Sequence, residues 1–187
     1  MDCTSENCRK EFMALRNNIR RQVAKAPINE KEEVTIDCYN DVCLNAVKND
    51  VVAQDFLSYI FKKGFENVIR VNYEKSMQWQ ILAGANGNQF AIDKLSIFLN
   101  YALTEIMNAD DFGYILARNE LNDSNLIYIV GKLICEAIID ELQISPEKLV
   151  KAELSHMEFN SKVMRVFDNS RNFAIPKVLK FLRSWIS

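Results

Sequence analysis

Apolar side chains recur at intervals of three and four along nearly the whole chain, which is the spacing of helices that bury one face. Phe12, Leu15, Ile19 and Val23 form such a stripe over residues 5–26, with Arg16, Arg20 and Arg21 on other sides. Pro27 ends that helix, because the residue before a proline avoids the helical region. Asn29 is expected to cap a second helix with Glu32 as its capping-box partner, and Val34, Cys38, Val42 and Ala46 make its inner stripe. A third helix follows Asn49-Asp50, runs to about Lys63 and stops at Gly64. Asn72 is placed to cap a fourth helix reaching Ala85, and Gly87-Asn88 turns the chain into a fifth. The fifth extends to about Met107 and contributes Leu95, Phe98, Leu99 and Ala102 to the core.

The second half continues the pattern. A shorter helix is expected between Asp110 and Glu120, interrupted near Gly113. From Ser124 a strongly apolar helix carries one polar stripe, Tyr128, Lys132, Glu136 and Asp140, at a constant spacing of four. Such a helix is buried on most of its circumference. Ser145-Pro146-Glu147 is a helix start: an N-cap, a proline at the first helical position and an acid. Helices are then expected over 146–158, over 161–170 through Val163, Val166 and Phe167, and from Pro176 with Leu179, Leu182 and Trp185 inward. The alternative strands, Val68–Val71 and Val163–Phe167, are short and isolated, so neither builds a sheet. The expected fold is all-α.

Residues 46–95 hold a finer pattern. Ala53, Leu57 and Gly64 lead into Tyr73, Glu74, Lys75, Ser76 and Trp79; then come Ala83, Gly84, Gly87, Asn88 and Ala91, with Leu95 four beyond Ala91. This order resembles the Sel-one-like repeat, a relative of the tetratricopeptide repeat in which two antiparallel helices pair through small residues. The resemblance implies an α/α helical-hairpin repeat, short and solenoid-like, with flanking helices. Within a single helical domain over 1–187, residues 1–45 would supply N-terminal helices, 46–107 the repeat region and 108–187 a C-terminal helical part. One full repeat and two partial ones are visible, and about three units are needed to bury a continuous core. The chain departs from the pattern in a long, apolar 65–71 linker and in Ser58 and Ser96 where glycine is common.

Composition agrees with long helices and short connections: five Gly and three Pro in 187 residues leave few breakers for strands and tight turns. The net charge of −2 is unevenly spread, with +3 over residues 1–26, +5 from Phe159 onward and −10 between. Basic ends around an acidic centre favour packing onto or steering toward that centre, and the overall sign disfavours a nucleic-acid partner. The apolar run Leu126–Ile139 is too short and too charged to span a bilayer, so no membrane is expected. Five cysteines without an apolar leader read as reduced thiols of a cytoplasmic protein.

Candidate chemistry is sparse. Cys3/Cys8 and Cys38/Cys43 are each five apart, which on a helix separates the pair by about 140°, unlike the CxxC spacing of zinc sites. His156 is the sole histidine. Ser145 and Lys148 have an SxxK spacing whose serine already has a capping role. The turn 84–88 lacks the lysine and hydroxyl of a phosphate loop. No catalytic residue, metal or cofactor is assigned. What the resemblance implies is binding: an adaptor or scaffold that holds a protein or peptide in a groove, with Tyr59, Tyr73, Trp79, Gln80 and Asn88 as the first candidates for contact. The 65–71 linker and the final helix (Phe181, Leu182, Trp185) are expected to tuck onto the core; the alternative is that they are docking surfaces for a partner or for a homo-oligomer. The alternative is a dedicated inhibitor or immunity-type partner of one enzyme, using the acidic middle; a helical enzyme with an unrecognised site comes last.

Overall fold

Local signals set most of the helix ends. A computed structural model describes residues 4–95, 104, 108, 123–151, 176 and 180, and they are helical apart from turns, short connections and isolated bridge positions, Phe65 with Ile69 and one at Asn88. Helix α1 spans Ser5–Lys25, α2 Lys31–Val47, α3 Val51–Lys63 and α4 Tyr73–Ala85. Helix α5 is described over 89–95, α6 spans Asp123–Leu142 and α7 Pro146–Lys151. The protein is all-α. The expected helices at 110–120 and 161–170, most of 176–187, and the residues Cys3 and His156 lie outside the described residues.

Asp50 accepts the amide protons of Val52 and Ala53 at 2.9 and 3.0 Å, so α3 begins where expected. Asn72 does the same for Lys75 at 2.9 Å at the head of α4, and Ser145 accepts from the Lys148 amide at 3.3 Å at the head of α7. Each side-chain oxygen satisfies a donor that the first helical turn leaves without a partner. Gly64 ends α3 at φ +73° and Gly87 turns the chain at φ +95°, both in the left-handed region that glycine enters without steric cost. One start differs from the pattern. Asn29 and Glu32 form no capping box; Pro27 to Glu30 make a turn closed by the Glu30 amide on the Pro27 carbonyl at 2.9 Å, and α2 starts at Lys31 without a side-chain cap. Proline fixes φ at the first position of that turn, and the turn takes the place that the cap needs.

Helices α3 and α4 form an antiparallel hairpin at the centre. The Asn72 amide meets the Phe61 carbonyl at 2.8 Å near the loop, Ser76 Oγ donates to the Ser58 carbonyl at 2.8 Å midway, and Asn86 Nδ2 donates to Gln54 Oε1 at 3.0 Å at the far end. Around this pair, α1 and α2 pack on α3, while α6 packs on α4 and α7 touches both α4 and α2. Of α3, only Val51, Tyr59, Lys62 and Lys63 are not buried. Helix α6 turns Leu126, Val130, Ile134, Cys135 and Ile138 inward, and the Tyr128, Lys132 and Glu136 part of its polar stripe is half-buried while Asp140 is exposed. The apolar linker is partly absorbed: Phe65 and Ile69 pack on the core, and Val71 stays in solvent.

Gly84 sets the approach of α4 to its neighbours. A Cβ added there would stand 3.0 Å from Cys135 Sγ and 3.3 Å from Ile92 Cγ1. Glycine within a helix costs about 1 kcal/mol relative to alanine, so propensity alone favours replacing it; the packing reverses the sign. Gly84→Val is expected to lower stability by about 1–3 kcal/mol through overpacking, measured by urea unfolding. Adding Cys135→Ala should restore part of the loss. Equal or greater stability of the single variant would remove the close-approach role from Gly84.

Candidate functional site

The five residues singled out from the sequence do not converge. Trp79 is 1 % exposed and sits in the hydrophobic core. Asn88 is equally buried, with Nδ2 donating to the Val51 carbonyl at 2.9 Å and Oδ1 accepting from the Ala91 amide at 3.0 Å, so it fastens the α4–α5 turn to the start of α3. Gln80 is half-buried and makes two long contacts of 3.4 Å, to Ser58 Oγ and the Ala91 carbonyl. Tyr59 is half-buried against Phe12 and Phe56, beneath the Arg16 guanidinium. Tyr73 alone projects, 59 % exposed, at the head of α4. Two shallow recesses occur elsewhere, one of about 540 Å³ inside the 63–71 loop and one of about 510 Å³ along the outer side of α1; none of the five lines either.

The interior of the hairpin is polar along its seam. Gln54 Nε2 donates to the Ala46 carbonyl at 3.0 Å, Ser58 and Ser76 stand 3.3 Å apart, and Asn86 joins Gln54. These bonds satisfy groups that burial would otherwise leave costly, and they fix the register of the two helices. Ser58, which departs from the small glycine of the resembled pattern, thus acts as a hydrogen-bonding contact.

A second constellation joins α1, α3 and α5. Asp55, 1 % exposed, receives Lys94 Nζ on both carboxylate oxygens at 2.6 and 2.8 Å. The same ammonium lies 3.9 Å from the Phe90 ring centre and 4.8 Å from that of Phe12. Phe12 meets Phe56, Tyr59 and Phe90 edge-on at 5.7 to 6.0 Å. Burial raises the Asp55 carboxyl and lowers the Lys94 ammonium, each opposed by the other's charge. Ser5 adds two ties between α1 and α5, its amide to Gln89 Oε1 at 3.1 Å and its hydroxyl to Asp93 at 2.5 Å. Nothing in the spacing of Phe12, Asp55 and Lys94 along the chain announces this cluster; the separation of 39 positions between acid and lysine is bridged only by folding. With both charges paired and two rings, Phe12 and Phe90, against the ammonium, its evident work is to hold three helices together.

The cysteines correct one expectation. Cys8 is disulfide-bonded, so the chain is not a set of five reduced thiols. Cys38, Cys43 and Cys135 are free and buried; of the five, the remaining one is Cys3, outside the described residues. Burial pushes the Cys135 thiol up to about 12, with Glu136 adding to it. It also raises Cys38, near Asp41 and Asp37, and Cys43, against the opposing effects of Tyr39 and Lys75. Raised thiols are poor nucleophiles and poor metal ligands at neutral pH. Cys38 and Cys43 do not share a site: Cys38 donates to Gln22 Oε1 at 3.3 Å, while Cys43 hydrogen-bonds to Tyr39. Among the described residues no group of three or more His, Cys, Asp or Glu side chains is placed to hold a metal, and no helix is long and apolar enough to cross a membrane.

Large apolar groups do reach solvent on the outer side of the bundle. Ile36 and Leu44, on one stripe of α2, are 40 % and 60 % exposed, and Val71 and Tyr73 project from the loop and head of α4. The inward stripe of α2, Val34, Cys38, Val42 and Ala46, lies on the other side of the helix. Comparison with family models, with curated proteins and with solved structures finds no match.

Proposed function

We propose that the chain is a non-enzymatic interaction module, an adaptor or scaffold that holds a protein or peptide against its helical surface. The observation that carries this reading is the aliphatic stripe of α2, where Leu44 and Ile36 face water from a helix whose other side is packed on α1 and α3. Aliphatic groups held out this way are stabilised when a partner covers them. Tyr73, exposed on the α4 head, belongs to the same kind of surface, whereas Trp79 and Asn88 act as framework beneath it. The Sel-one-like reading of residues 53–91 is part of the proposal; the α3–α4 hairpin, with small residues at its seam and Gly87 turning the chain, supports it. A cytoplasmic setting is supported by three free thiols and opposed by the Cys8 disulfide.

Immobilised full-length chain, exposed to native lysate, is expected to retain a protein identifiable by mass spectrometry. Tyr73→Ala or Leu44→Ala should reduce its recovery while leaving the chain's helical spectrum unchanged. Recovery of no protein, together with turnover of a small molecule by the purified chain, would defeat the reading. The second reading, an inhibitor or immunity-type partner of one enzyme, draws support from exposed acids on α2. Loss of a catalytic activity in the captured partner on binding would select it over an adaptor.

A further inference from the structure

The outward side of α2 carries two adjacent rows. Ile36, Asn40 and Leu44 recur every four residues, and Val47 lies three further on. Glu30, Glu33, Asp37 and Asp41 run beside them at spacings of three and four. At about 100° per residue the centres of the rows are roughly 70° apart on the helix, so one partner surface can meet both. All four acids are exposed, as are Ile36, Asn40 and Leu44, while Val47 is half-buried. The ion pairs among the described residues are Lys10–Glu6 and Lys94–Asp55, so none of the four acids is neutralised there. Lys31 and Lys48 stand at the two ends of α2, and Lys75 approaches Cys43 from the opposite flank. Glu33/Asp37 and Asp37/Asp41 are like-charged neighbours four apart, an arrangement that disfavours an isolated helix. The local field is felt inside as well: Asp41 and Asp37 add to burial in raising the Cys38 thiol.

We propose that this face of α2 docks a cationic amphipathic helix of a protein partner. The partner's aliphatic ridge would cover Ile36 and Leu44, and its Lys or Arg side chains would meet Glu33, Asp37 and Asp41. The row from Glu30 to Asp41 is roughly 16 Å long at the helical rise, which matches a partner of three to four turns. An anionic membrane or a nucleic acid is repelled by the same row, and an acidic peptide equally so. The inference rests on the reading of the chain as an interaction module and adds the face and the chemistry of the partner.

The probe is a fluorescent synthetic helix of about 18 residues, five turns, with leucines on one face flanked by lysines, titrated with the full chain and followed by anisotropy. Two control peptides share its length: one with the same composition scrambled to remove the face, and one with glutamates for the lysines. The amphipathic cationic helix is expected to bind about tenfold tighter than the scrambled one, a tenfold ratio being the smallest that titration separates cleanly, and the glutamate version not to bind. Leu44→Glu should weaken binding about tenfold, and Asp37→Lys with Asp41→Lys should weaken it further and flatten its dependence on salt. Because these side chains are exposed, circular dichroism should show each variant as helical as the parent. Equal binding of the scrambled peptide, no binding of the cationic helix, or indifference to both variants overturns the inference. A lysate partner that binds these α2 variants as well as the parent overturns it too, yet leaves the interaction module standing; recovery of no partner from the lysate, together with turnover of a small molecule by the purified chain, removes both.

Discussion

Lys94→Met is expected to destabilise the fold by about 3–5 kcal/mol, because it leaves the Asp55 carboxylate buried without a counter-charge. The reverse substitution, Asp55→Asn, is expected to cost less, since the Lys94 side chain is 33 % exposed and can carry its charge to water once released. Urea unfolding of the two variants measures the asymmetry. pH gives an independent readout. Burial already raises Asp55 above the usual carboxylate range while Lys94 holds it down; without the lysine its folded pKa rises further. A group whose pKa is raised by folding contributes stability below its unfolded value, about 3.9 for Asp, and that contribution is lost as pH climbs through the folded value. The deficit of Lys94→Met relative to the parent should therefore shrink as pH falls from neutral toward 5. A deficit independent of pH, or the larger cost falling on Asp55→Asn, would show that the pair is not the clamp joining α3 to α5.

Trp79→Ala is expected to cost about 3–5 kcal/mol, the range for emptying the space of a large buried ring. Trp79→Phe should cost far less, under about 1.5 kcal/mol, as a substitution that keeps most of the volume. The contrast follows from volume and is sharpened by Nε1, which is buried and makes no hydrogen bond to the described residues. Phenylalanine thus removes no bond and relieves an unsatisfied donor. Thermal unfolding of both variants tests this, with partner capture as the second measurement. A framework role predicts that whatever fraction of Trp79→Ala remains folded captures as the parent does. A variant that folds normally and loses only its partner would return Trp79 to the binding surface.

The helical ends were legible in the chain because capping is a local matter. Asp50, Asn72 and Ser145 each bond to an amide two or three residues ahead, and Gly64 and Gly87 each answer a backbone angle at their own position. The inner stripes of α1 and α2 were legible for the same reason, since a period of 3.6 marks the buried face without reference to what covers it. The one local miss, Asn29 as a cap, arose where two local signals compete over the same four residues and the proline turn prevails.

Candidate contacts fared differently, because periodicity separates a helix's faces but does not say which of them a neighbour will cover. Trp79 and Asn88 read as groove residues when α3 and α4 are imagined with one open side, yet α1, α2, α6 and α7 pack around that hairpin. Asp55 looked like an ordinary polar position within α3 until Lys94, itself set against the Phe12 and Phe90 rings, met its carboxylate from a helix far along the chain. By itself the sequence determined the all-α class, the helix limits and the inward stripes, since these depend on contacts within a few residues. The tertiary structure alone decided which polar groups pair in the interior and which apolar ones, Leu44 and Ile36 among them, are left facing water. Those outcomes depend on long-range packing, and no short window of the chain contains it.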